Sequence, residues 1–187
     1  MSDIITGVVG IQRIFQQLPS KYLLMNGNIE KILKFFVGMV LEGESPEFSY
    51  VIDKKIDNHE IDMLGFENGN VKFASEFKCT FATDRGATTK AAIDACSKIL
   101  KTKKIQSLSN SNKSIVHFLN SSNARSEFSL NPNCIKDKYP KGKAIKSPEL
   151  IEIFKKELGN HIKDIKCHKY DFASSSLNLD AIVVDIA

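Results

Sequence analysis

Tryptophan is absent from this chain of 187 residues, proline occurs only five times, and just three of its 26 cationic residues are arginine (Arg13, Arg85, Arg125). The missing tryptophan does not prevent a core, because 42% of the residues are apolar and twelve are phenylalanine. The scarcity of arginine argues against dense bidentate reading of base edges. Apolar runs are short, as at Phe35-Phe36-Val37, and fall far below the roughly 18 to 20 residues a membrane span requires, so no transmembrane helix is expected. Asp3 comes early and no basic segment precedes an apolar one, so the expectation is a chain without a secretory leader, starting at Met1 and residing in the cytoplasm. The four cysteines (Cys79, Cys96, Cys134, Cys167) form no CxxC and no finger spacing with histidine, which predicts free thiols in a reducing compartment. GxxxxGK, GxGxxG after a strand, GxSxG and HExxH are missing too, and with them the phosphate-loop, dinucleotide, serine-hydrolase and zincin chemistries. His59, His117, His161 and His168 are scattered and read as structural or exposed, with His59 alone close enough in sequence to a candidate site to approach a substrate.

What is present is an uneven charge. The net charge is only +4, yet residues 98–146 carry eleven Lys or Arg against Glu127 and Asp137, leaving the remainder of the chain acidic. A basic segment on an acidic chain fits a polyanion such as a nucleic-acid backbone, and equally fits a solvated lysine-rich surface. Within it, Lys136 to Lys146 places five lysines around Tyr139, Pro140 and Gly142. Lys138, Lys141 and Lys143 could follow a phosphate backbone there while Tyr139 stacks on a base.

By length the chain is one domain, 1–187. Ile4, Val8, Ile11, Phe15 and Leu18 predict a helix over 3–18, weakened by Gly7 and Gly10. A second helix, capped by Asn28, presents Ile29, Ile32, Leu33, Phe36, Val37 and Val40 as one stripe. Three strands are then expected at 48–56, 60–66 and 71–81, a helix over 88–102 with Ala92, Ile93, Cys96, Ile99 and Leu100 inward and Lys90, Asp94, Lys98 and Lys101 outward, and a strand over 115–119. Residues 120–146 form a long basic loop. Ser147-Pro148-Glu149 predicts a capped helix ending at Gly159, followed by strands over 165–172 and 179–186.

The chemistry rests on two strands. Asp62 lies on the second and Glu76-Phe77-Lys78 on the third. Composition alone gives roughly 2.7 acidic-x-Lys triplets, and three occur (Asp53-Lys54-Lys55, Glu76-Phe77-Lys78, Asp164-Ile165-Lys166), so only context selects Glu76: mid-strand, with a second mid-strand acid on the strand before. A two-residue turn at Asn68-Gly69 would set Asp62 across from Ser75 and put Asp62 and Glu76 on opposite faces. A three-residue turn, or an equivalent bulge, sets Asp62 opposite Glu76 and Glu60 opposite Lys78. Facing carboxylates repel, and a divalent cation relieves them.

In element order and in this Asp…Glu-x-Lys arrangement, residues 28–119 resemble the PD-(D/E)xK nuclease superfamily, with Ile61 where the eponymous proline would stand. The resemblance implies an α/β restriction-endonuclease-like core, a mixed sheet flanked by helices, and a Mg²⁺-dependent deoxyribonuclease in which Mn²⁺ can substitute. It further implies that Asp62 and Glu76 bind metal, that Lys78 orients the attacking water, that Glu30 is the additional helical acid, and that Lys90 approaches the nucleic acid. DNA is the implied partner, a homodimer is compatible with cutting both strands, and no membrane is involved. The alternative is an inactive nuclease-fold module, such as an immunity or regulatory protein, whose acids serve recognition. Glu30 has a plain structural role open to it as well, in the first helical turn and four residues before Lys34.

Overall fold

The structure, a computed structural model, describes residues 3–17, 29–56, 59–101, 112–122, 144–172 and 177–187. They form α1 (Asp3–Gln17), α2 (Ile29–Glu44), β1 (Phe48–Ile56), β2 (His59–Glu67), β3 (Asn70–Phe81), α3 (Arg85–Lys101), β4 (Asn112–Asn120), α4 (Ser147–Leu158), β5 (Ile162–Lys169) and β6 (Leu179–Ile186). The six strands make one sheet in the order β1-β2-β3-β4-β6-β5. Only β3 and β4 run parallel; the other neighbours are antiparallel. The protein is therefore α/β with a mixed sheet flanked by helices, and no helix of the described residues is long and apolar enough to cross a membrane.

Alternation of side chains along the central strands builds two cores. On one face Val8, Ile11, Leu33 and Val37 of α1 and α2 meet Phe73, Phe77, Val116 and Phe118. On the other, Ala92, Cys96 and Ile99 of α3 and Leu150 and Phe154 of α4 meet Ala74, Ile115 and Val184. Covered on both faces, β4 reads as a nearly continuous buried run from Lys113 to Asn120. The glycines that weaken α1 as a helix serve its packing: a Cβ on Gly7 would stand 2.8 Å from Val37, and one on Gly10 would collide with Val40.

The elements depart from expectation where local signals compete. The buried row of α2 is Ile29, Leu33, Lys34, Val37, Gly38 and Leu41, while Ile32, Phe36 and Val40 are only half-buried. The helix is turned so that Lys34 and Gly38 face β1, where the Tyr50 ring lies on Gly38, while Glu30 reaches β3. Helix α3 starts at Arg85 rather than Thr88 because Asp84 Oδ1 accepts the Ala87 N–H at 2.9 Å, an N-cap bond. Ile93, expected inward, is exposed. In α4 the cap position falls on Lys146, since the Ser147 hydroxyl donates to Asp180 instead of capping. Strand β5 begins and ends three residues earlier than expected, as Tyr170 leaves it to donate its hydroxyl to the Val8 carbonyl at 2.7 Å.

Candidate active site where two strands part

The hairpin joining β2 and β3 combines a short turn with a compensating irregularity. Asn68 and Gly69 both have positive φ, 52° and 75°, and Glu67 pairs with Asn70, a two-residue type I′ turn. The three-residue turn is not formed. Phe66 pairs with Val71 but Gly65 with Phe73, so Lys72 is an extra residue on β3 and the register moves by one. The ladder continues as Leu64 with Ala74 and Met63 with Ser75, an alignment that brings Asp62 level with Glu76. The bulge thus supplies the register that the turn alone would have denied.

Beyond Met63 and Ser75 the pairing of β2 with β3 stops, while β3 stays paired with β4 as far as Phe81 and Asn120. Backbone donors of β3 on the side facing β2 need other acceptors there. Asp62 Oδ2 accepts the Phe77 N–H at 2.8 Å, and Glu30 Oε2 accepts the Cys79 N–H at 3.0 Å. Two side-chain carboxylates therefore continue the ladder where the strand partner has ended.

Three lysines converge on these acids from both faces of the sheet. From α2, Lys34 Nζ lies 2.5 Å from Asp53 Oδ1, 3.6 Å from Asp62 Oδ1 and 3.9 Å from Glu30 Oε1, with its side chain only 3% exposed. From α3, Lys98 Nζ lies 2.7 Å from Glu76 Oε2 and 3.9 Å from Asp62 Oδ1. Lys78 Nζ lies 3.7 Å from Asp62 Oδ2. Asp53 reaches the group through a left-handed backbone, φ 54°, that interrupts the β1–β2 ladder between Ile52 and Lys54. Asp53, Glu60 and Asp62 each place an oxygen within 4.8 Å of one another, a group that could hold a metal ion.

Burial divides the carboxyl groups electrostatically. Glu76 is fully buried and neither of its oxygens has a hydrogen bond of good geometry, despite the nearby Lys98 ammonium. Burial, then the Asp62 charge, pushes its carboxyl up to about 8. Burial would raise Asp62 as well, but Lys78, the Phe77 N–H, Lys98 and Lys34 together bring it below the usual value. Glu30 is raised, mainly by burial, against the lowering influence of Lys78. Lys34 is raised, because Asp53, Asp62 and Glu30 more than offset its burial. A proton thus rests on Glu76 near neutrality while Asp62 is ionised, the arrangement expected of two carboxyls with one charge too many.

Among the sequence-predicted residues, Asp62, Glu76, Lys78 and Glu30 come together. Glu60 contributes to the group with Asp53 rather than facing Lys78 across the ladder, which ends before reaching it. Lys90 is exposed on α3, two turns before Lys98, the cation that reaches the acids. Lys138, Lys141 and Lys143, with Tyr139 and Cys134, lie outside the described residues. His117 is buried, bonded through Nε2 to the Thr80 hydroxyl at 2.8 Å, and burial pushes it down to about 3, so it is a neutral structural histidine. Sequence reasoning missed Asp53, Lys34 and Lys98 as members of the group. Lys34 follows Glu30 by one turn and precedes Gly38 by another, a row whose small last member signals close approach. The buried Ala92 and Ala95 of α3 mark a helix near enough to the sheet for Lys98 to lay its stem along it.

Comparisons with family models, with curated proteins and with solved structures give no match for this chain.

Proposed function

We propose that the protein is a metal-dependent endonuclease hydrolysing phosphodiester bonds of DNA, built on a restriction-endonuclease-like core, with Asp62, Glu76 and Lys78 at its centre. One observation carries the reading: a bulge in β3 aligns Asp62 with a fully buried Glu76 whose oxygens lack good hydrogen bonds, beside Lys78, at the point where two strands part. A buried carboxylate is costly without a cation; the Lys98 ammonium stands 2.7 Å from Glu76 on a side chain one-quarter exposed, a place that a divalent ion with oxygen ligands would take over. Asp62 and Glu76 would hold Mg²⁺, or Mn²⁺ in its place, and the ion would supply charge neutralisation at the scissile phosphate.

The chain's own groups do the rest. Glu76 would hold the ion as a carboxylate, its proton passing to water. Lys78, with its side chain one-quarter exposed, orients the attacking water and stabilises charge on the phosphate oxygens. Glu30 holds the Cys79 N–H and so fixes the end of β3 that carries Lys78. The basic segment, Lys138, Lys141 and Lys143 included, engages the DNA backbone.

Supercoiled plasmid and single-stranded DNA, incubated with the protein in Mg²⁺, Mn²⁺ or EDTA, test the reading. Metal-dependent cutting is expected, with a loss of at least a hundredfold in folded Asp62→Ala and Lys78→Ala proteins. A wild type that cuts nothing and whose melting temperature no metal shifts would sink it. One observation favours the second reading, an inactive interaction module: Lys34, Lys78 and Lys98 already neutralise much of the acidic group. That module would show neither cutting nor a metal-dependent melting shift.

A further inference from the structure

The carboxylates offer two sides to a cation: the Asp62–Glu76 side proposed above, which Lys98 faces, and the group of Asp53, Glu60 and Asp62. An acidic group of this size invites two divalent ions. The three lysines are not equivalent with respect to these positions. Lys78 and Lys98 each have a side chain 25% exposed, so their ammonium groups can swing to water when a metal arrives. Lys34 is 3% exposed and sits 2.5 Å from Asp53 and 3.6 Å from Asp62. Withdrawing it would strand a buried charge and take from Asp53 the ammonium it pairs with.

The backbone agrees with that assignment. Asp53 adopts a left-handed conformation inside a strand, a strained state that persists only when its surroundings over-determine it. What it delivers is a carboxylate to Lys34, through a hydrogen bond of 2.5 Å.

We propose that Lys34 is a built-in cation that permanently fills the Asp53 side of the cluster, so that the site takes one divalent ion, on the Asp62–Glu76 side. A second divalent ion is excluded because it would share Asp53 and Asp62 with an ammonium group that cannot leave. Lys34 is in these terms a positioning residue, setting the number and place of the metal. The inference rests on the metal-dependent reading above.

Titration of the full chain with Mn²⁺ alone, followed by calorimetry and by the electron paramagnetic resonance of free Mn²⁺, counts the ions. One ion per chain is expected in the wild type and two in Lys34→Met, the second disappearing again in Lys34→Met/Asp53→Asn. Asp53→Asn by itself keeps one ion with affinity within threefold of wild type, because Asp53 is not a ligand. Two ions in the wild type, a tenfold or greater loss of affinity in Asp53→Asn, or a single ion in folded Lys34→Met each overturn the proposal. Should Lys34→Met not fold, the wild-type count and Asp53→Asn decide. A wild type that binds no Mn²⁺ defeats the metal-dependent reading as well, whereas one ion with the wrong variant behaviour defeats only the role of Lys34.

Discussion

Glu76 is the residue at which burial and charge conflict most directly. Its folded value of about 8 stands against an ordinary 4.5, so between those pH values the folded chain holds a proton that the unfolded chain has lost. The stability from this group is therefore complete below about pH 4.5 and drains away as pH rises toward 8. Glu76→Gln keeps the shape and removes the titration. Metal-free Glu76→Gln is expected to melt on the order of 5 °C above wild type at pH 8 and close to it at pH 5, as read by circular dichroism. Mg²⁺ should narrow the pH 8 difference by stabilising the wild type alone. Asp62 acts in the opposite sense, since its lowered carboxyl contributes stability above its ordinary 3.8 that is lost as pH falls through the folded value. Asp62, Glu76 and Lys78 were legible as candidates because mid-strand acids and strand alternation are sequence properties, and Glu30 through the resemblance to the PD-(D/E)xK arrangement. Asp53, Lys34 and Lys98 were not, because each joins through something the periodicity does not encode: a left-handed residue within a strand, a helix rotated about its own axis, and a long side chain bent back from the edge of a buried stripe.

Among the elements, the β2–β3 hairpin decides whether there is a site. Asn68-Gly69 announces a turn in the sequence, but the extra residue at Lys72 does not, since a bulge depends on how the strands meet rather than on a residue preference. Gly65 lies beside it, and a Cβ there would run into the Phe73 ring. Gly65→Ala is expected to cost roughly 1–3 kcal/mol through overpacking, measured by urea melts, and to weaken Mn²⁺ binding as the Asp62–Glu76 alignment is disturbed. An unchanged denaturation midpoint would show that the ring simply moves aside. The strand order at the other side of the sheet was likewise not predicted, although its cause is visible in composition. Ala181-Ile182-Val183-Val184 of β6 is apolar without alternation and lies inside the sheet, whereas β5, with Lys163, Asp164, Lys166 and His168, is polar enough for the edge.

At the scale of the whole fold, the expected succession of helices and strands is the one found among the described residues, because each element carries its own period and punctuation; what no local pattern encodes is how distant elements are tied. Tyr170, after β5, bonds the Val8 carbonyl of α1 across 162 positions of sequence, in a buried setting. Tyr170→Phe is expected to destabilise by roughly 1–2 kcal/mol, the cost of an orphaned carbonyl and a lost bond, as a lowered denaturation midpoint with unchanged slope. Charge operates at this scale too. Replacing Lys138, Lys141 and Lys143 together by alanine should weaken DNA binding at low salt and flatten its salt dependence by up to about 0.9 per lost phosphate contact, measured by fluorescence anisotropy. An unaltered salt slope would mean that the basic segment does not touch the backbone.

The carboxylates that continue the β3 ladder make two amide protons into reporters. The Phe77 and Cys79 N–H groups are bonded to Asp62 and Glu30, not to a neighbouring strand, so their rates of exchange with deuterated water are expected to register the state of those two side chains. Occupancy of the Asp62–Glu76 position could then be followed on the unmodified chain, without substrate, as a change in deuterium uptake at Phe77 set against Cys79.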